Sequence, residues 1–142
     1  FRSKKLRIMK LKESLDNVLD YIVTDEAEEF VEYTFYLIKE FNLNLRIVVT
    51  IDIDIMSNTI IVSFNSHGPD NNLSTEKKAS FAIFATLVDI LDEAMEDNDA
   101  VHIEGTGNTF KKTLIYEKLF KRFSENWEVD RLRLNVYAQK KD

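Results

Sequence analysis

Residues 79–123 constrain the fold more than any other stretch. They read ASFAIFATLVDILDEAMED, then NDAVHIEGTGNT, then FKKTLIYEKLFKRF. In the first block Phe81, Phe84, Val88, Leu91 and Met95 form one helical stripe, and Ile83, Leu87, Ile90 and Ala94 lie beside it. So wide an apolar arc predicts a long helix lying deep against a sheet. The middle block predicts a short strand over residues 100–104 that ends at glycine. The last block predicts a helix over residues 110–124, with Leu114, Ile115, Leu119 and Phe123 toward the core. Lys111, Lys118 and Arg122 share another face of it. Strand, long helix, strand implies a right-handed crossover and a parallel strand pair.

The upstream half is strand-rich. Residues 45–55 (LRIVVTIDIDI) alternate cleanly, with Ile47, Val49, Ile51, Ile53 and Ile55 on one side. That pattern predicts a strand with one buried face. Residues 56–58 make a turn and residues 59–64 (TIIVSF) the return strand of a hairpin. Residues 30–41 (FVEYTFYLIKEF) fit a helix capped at Thr24, and also a strand; a strand over residues 30–37 is preferred. Leu11, Leu15, Val18, Leu19 and Ile22 have helical spacing, which predicts a short amphipathic helix over residues 11–21. Residues 24–29 are acidic and read as a connection. Residues 65–72 (NSHGPDNN) hold the only proline and read as a loop, after which Ser74 or Thr75 caps the long helix. Residues 127–138 contain LRLNVYA, a last alternating strand. The expected class is α+β: an antiparallel strand meander, a long crossover helix, a parallel strand, a second helix and a final strand. Residues 1–10 form a basic arm, residues 11–138 a single domain and residues 139–142 a polar tail.

A chain of 142 residues is long enough to bury a core without staples. It has no cysteine, which excludes disulfides and thiolate metal sites and is compatible with a reducing cytoplasm. No apolar run approaches the roughly 18–20 residues that cross a bilayer, so no membrane partner is expected. No apolar segment of the secretory kind follows the basic start.

The net charge of −6 is unevenly spread. Residues 1–12 hold six bases and no acid, residues 13–110 twenty acids and four bases, and residues 111–142 nine bases and five acids. Such asymmetry invites pairing within the chain, contacts with other protein subunits or further copies of the chain, or an anionic partner; the simpler expectation is a solvated charged surface. The candidate contact residues are Arg2, Lys4, Lys5 and Arg7 in the arm and Lys111, Lys112, Lys118, Lys121 and Arg122 in the late helix. These bases make nucleic acid a candidate partner, but the pI is about 5.0 and the bases are not interleaved with exposed aromatics. The acidic end of the long helix (DEAMEDND) opposes its macrodipole and hints at a basic neighbour.

Signals for chemistry are sparse. Gly105-Thr106-Gly107 opens a helix, where an anion could sit; the simpler expectation is a tight entry that needs positive φ. Asp52 and Asp54 share a strand face and are expected to be solvated, with no third ligand placed beside them for a cation. His67 and His102 lack paired ligand spacing and are expected to be structural. No Walker loop, zinc pattern or Ser-His-Asp order is present. No catalytic residue, cofactor or metal is assigned.

The element order resembles the core of the GNAT acetyltransferase-like fold, and Tyr116, Glu117, Lys118 and Leu119 match its late "LYEKLGF" helix, with Phe120 and Lys121 in place of Gly-Phe. The chain more specifically resembles a domain of tailed-phage proteins over residues 30–125. The matching positions are Tyr33 and Phe35, Val62-Ser63-Phe64, Phe81, Ile83 to Leu87, Ile90 and Leu91, Ile103 and Gly105, and Lys112, Ile115, Tyr116, Leu119 and Arg122. GNAT enzymes carry a glycine-rich turn whose backbone N–H groups close on the cofactor pyrophosphate. Here that position reads GPDNNLSTEKKASF, with no glycine between Gly68 and the helix, and only Lys77 and Lys78 offer positive charge. The phage resemblance therefore implies a non-enzymatic module that acts through protein contacts in the host cytoplasm, as a virion or assembly component. If acyl transfer occurred, the GNAT resemblance implies Tyr116 as proton donor.

Overall fold

The computed structural model describes residues 18–72, 77–123 and 125–141. The alternation read around Ile51 is a strand, β3 (Arg46–Asp54), in which Ile47, Val49 and Ile51 are buried. It pairs antiparallel with β4 (Thr59–His67), from Arg46 opposite His67 to Asp54 opposite Thr59. Asn58 closes the turn in the left-handed region (φ 51), which asparagine tolerates. β4 runs three residues beyond the expected end at Phe64. Asn65, Ser66 and His67 find partners in Val48, Ile47 and Arg46, so backbone pairing overrides their loop-like composition.

Residues 30–36 are a strand, β2 (Phe30–Tyr36), on the other side of β3. One helical turn, α1 (Ile38–Phe41), follows and is stopped by Asn42 at φ 54. The predicted connection at residues 24–29 is instead mostly strand: β1 (Tyr21–Ala27) pairs antiparallel with β2. Its alternation is broken by a bulge between Val23 and Asp25, which shifts the side chains to the opposite phase and hides the period. β1 is also an edge, and only Tyr21 in it is buried, so it needs little apolar content. The helix expected over residues 11–21 lies mostly outside the described residues; its last residue, Tyr21, opens β1.

The long helix is α2 (Lys77–Asp97); the cap expected at Ser74 or Thr75 lies outside the described residues. Leu87, Val88, Ile90, Leu91, Ala94 and Met95 are buried, while Phe81, at the outer end of the stripe, is 52% exposed. The helix connects β4 to β5 (His102–Thr106), and these two strands are the one parallel pair among the described residues. The next helix, α3 (Phe110–Lys121), buries Thr113, Tyr116, Leu119 and Phe120. Its core face is therefore rotated from the expected one: Leu114 is 40% exposed, and Ile115 and Phe123 are only half-buried. Two close packings fix that rotation. A side chain on Gly105 would meet the Tyr116 ring at 2.7 Å, and one on Gly107 would collide with Thr113.

The final strand is a hairpin of two, β6 (Trp127–Leu132) and β7 (Asn135–Lys140), joined by Arg133 and Leu134. Arg133 takes φ 57, a conformation for which glycine or asparagine is the usual sequence signal. The chain is thus α+β, with one mixed seven-stranded sheet in the order β1-β2-β3-β4-β5-β7-β6. Both long helices lie on one face of it. Tyr21 reaches Asp89 on α2, Gly105 packs against Tyr116 on α3, and strand pairing places these sheet residues on the same side. The core sits there, between Val31, Tyr33, Phe35, Val49, Ile51 and Val62 and the helices.

Candidate functional site

Two places concentrate unusual geometry. The first is a fork at the sheet centre. The β4–β5 ladder ends at Val62 opposite Gly105, while β4 continues to His67. Beyond that rung the backbone N–H of Phe64 donates to the Tyr116 hydroxyl at 3.1 Å. The Tyr116 side chain is fully buried, with its ring 5.0 Å from Phe64 and 6.2 Å from Phe120. Burial pushes its phenol up to about 12, and the Phe64 N–H bond offsets that only in part. The group is therefore a neutral phenol at physiological pH, bonded to the backbone it braces.

Lys112 adds to the brace. Its ammonium donates to Asn65 Oδ1 at 2.9 Å and sits 5.1 Å over the Phe64 ring, and burial lowers its pKa. The glycines of the GTG turn serve packing, since neither takes positive φ; among the glycines only Gly68 does, at φ 131 against Asn44. Thr109 caps α3 by accepting the Lys112 N–H at 3.2 Å.

The remaining bases of α3 are partly engaged within the chain. Lys118 lies 5.1 Å over the Phe84 ring, and Lys121 pairs with Glu117 at 3.2 Å. Arg122 lines a hollow of about 430 Å³ together with Lys140, Asp92, Glu96 and Asp99. Lys111 is exposed. Arg2, Lys4, Lys5 and Arg7 lie outside the described residues. The structure thus does not gather the five late-helix bases into one free patch.

The second place is the sheet face turned away from α2 and α3. Neither α2 nor α3 lies on it. Cross-strand pairing lines up Asp52, Ile61, Glu104, Tyr137 and Asp130 across five strands, and beside them Asp54, Thr59, His102, Gln139 and Glu128. Ile22 (55%), Tyr36 (49%), Ile61 (41%) and Tyr137 (39%) are exposed on this face. A hollow of about 510 Å³ opens on it, lined by His102, Glu104, Glu128, Asp130 and Tyr137 among others. Asp52 and Asp54 are solvated there, and among the described residues no three His, Asp or Glu are grouped to hold a metal. His67 is exposed at the end of β4.

The sequence reading missed this face because its residues come from five strands, and only the register brings them into rows. It also missed a polar seam under α2, where the Tyr21 hydroxyl donates to Asp89 at 2.8 Å and the Thr86 hydroxyl accepts the Leu19 N–H at 2.9 Å. Desolvation, with the Asp89 and Glu93 charges, raises the Tyr21 pKa; desolvation and Glu93 raise that of Tyr33. Among the described residues no helix is long and apolar enough to cross a membrane. No protein-family model matches the chain, and the search of curated proteins returned no match.

Proposed function

We propose that this chain is a non-catalytic module that works through protein contacts, of the kind carried by tailed-phage proteins, as a virion or assembly component. The observation that carries it is the sheet face turned away from α2 and α3, where Ile61 and Tyr137 stand exposed in a row with Asp52, Glu104 and Asp130, and Ile22 and Tyr36 are exposed farther along it. Exposed apolar groups rimmed by charge mark contact surfaces. The acids on it disfavour pairing with the same face of a second copy, so the matching surface is basic.

A second reading, a GNAT-like acyltransferase, draws support from one observation. The parallel β4–β5 pair parts at Gly105, with the Tyr116 phenol beside the opening. GNAT-like strand order belongs to that proposal. Against it stand the loop before α2, which holds no glycine after Gly68, and the commitment of the phenol to the Phe64 N–H. The test is oligomeric mass by light scattering beside an assay of acetyl-CoA turnover. Assemblies without turnover support the contact module; a strict monomer that turns over acetyl-CoA overturns it.

A further inference from the structure

Among the described residues the sheet has two edge strands, β1 and β6. A strand with one partner points the N–H and C=O of every second residue outward, where another chain can pair with them. A bulge between Val23 and Asp25 interrupts β1. β6 pairs with β7 without interruption from Trp127 to Leu132, and it contains no proline, glycine or lysine. Its outer edge is therefore regular and lacks those devices that blunt one. Among the described residues the backbone of β6 bonds to no element but β7.

α3 flanks that edge. Arg131 of β6 sits 5.2 Å over the Phe110 ring and 3.4 Å from Glu117. Phe110, Leu114 and Glu117 follow one another at helical spacing, so one stripe of α3 runs beside β6. Phe110 is 57% exposed and Leu114 40%. A strand laid ~4.8 Å outside β6 brings every second side chain against this stripe. Its other side chains face the sheet's open side, where pairing with Gln139, Tyr137 and Asn135 puts Glu128, Asp130 and Leu132.

Charge selects what such a strand carries. A second copy paired antiparallel about the middle of β6 brings the Glu128 and Asp130 carboxylates of both chains together, which opposes it. Bases at those positions are attracted instead, and apolar residues between them cover Phe110 and Leu114. We infer that β6 is a docking edge for an extended segment of another protein, one that alternates basic and apolar residues and joins the sheet as a further strand beside α3. The contact reading concerns the face of the sheet; this inference concerns its edge and does not rest on that reading.

The probe is a capped peptide of sequence TKVKVKVT, added to the isotope-enriched full chain. Saturable binding with a midpoint below about 1 mM is expected. At saturation, amide exchange is expected to slow at least roughly ten-fold at every second residue of β6 and to stay unchanged along β3. The same peptide with alternate backbone nitrogens methylated keeps its side chains but cannot pair, and is expected to bind at least about ten-fold more weakly. Replacing its lysines with glutamate, or making Glu128→Lys/Asp130→Lys in the protein, is expected to weaken binding by at least about ten-fold. The glutamate peptide gives that answer on the unaltered chain if the variant fails to fold. No protection at β6, protection only elsewhere, or equal binding of the methylated or glutamate peptide overturns the inference. So does protection of β6 that grows with protein concentration before any peptide is added, which assigns the edge to a second copy.

Discussion

The Tyr116 hydroxyl accepts the N–H of Phe64 at 3.1 Å, two residues past the last rung joining β4 to β5. A side chain thus does the work of the missing strand, satisfying a backbone donor where the sheet parts. Tyr116→Phe keeps the ring and removes the acceptor. It is expected to cost about 1–2 kcal/mol, read as a lower urea midpoint with unchanged slope.

The same phenol gives stability an alkaline edge. Its pKa rises from 10.0 in the unfolded chain to about 12 in the fold, so the folded state holds the proton more tightly. Its contribution is complete below pH 10 and is lost as pH climbs through 12. Tyr21 and Tyr33 act in the same direction, and Lys112, whose pKa is lowered, acts in the opposite one. The difference between wild type and Tyr116→Phe isolates the one group. Unfolding free energies from pH 9 to 12 are expected to converge as pH rises.

Gly105 is held to glycine by packing. A Cβ there would stand 2.7 Å from the buried Tyr116 ring, with Phe120 at 3.2 Å. Gly105→Ala is expected to destabilise by about 1–3 kcal/mol. Added to Tyr116→Leu, which vacates the space, the same change is expected to cost less, and a double-mutant cycle in urea reads that coupling.

The elements that could be read from sequence are those whose periodicity the fold leaves intact. β3 keeps strict alternation because one face is buried along Ile47, Val49 and Ile51. The buried arc of α2 is wide enough to survive an error in its centre. β1 escaped because the Thr24 bulge inverts its phase and Thr24 itself turns to Glu32 and Thr34. The β6–β7 turn escaped because Arg133 occupies a left-handed position without a turn residue to announce it. The face of α3 was misplaced because contacts with Gly105 and Gly107 set it, rather than the local apolar count. The fork joins residues 52 apart, and the open face joins five strands; neither leaves a local trace.

Two neighbouring lysines of α3 are expected to behave differently. Lys112 bonds Asn65 and covers the Phe64 ring, whereas Lys111 is exposed. Lys112→Ala is expected to lower stability by about 1 kcal/mol. Lys111→Ala should stay within about 0.5 kcal/mol of wild type. Thermal denaturation of the pair checks both.

The seam beneath α2 ties β1 to the core. Tyr21→Phe removes the hydroxyl that donates to the buried Asp89 carboxylate. A loss of about 2 kcal/mol is expected, as for a hydrogen bond to a charged group. Amide exchange should quicken along β1 before it does along β3, since among the described residues β1 pairs with β2 alone.

The most direct test of a non-catalytic contact module is calorimetric titration of the folded chain with acetyl-CoA. No saturable heat is expected, because the loop before α2 offers no glycine cradle and the Tyr116 phenol is bonded to Phe64. Saturable binding in the micromolar range, about −8 kcal/mol, would contradict the contact module and make the fork at Gly105 an acyl-transfer site.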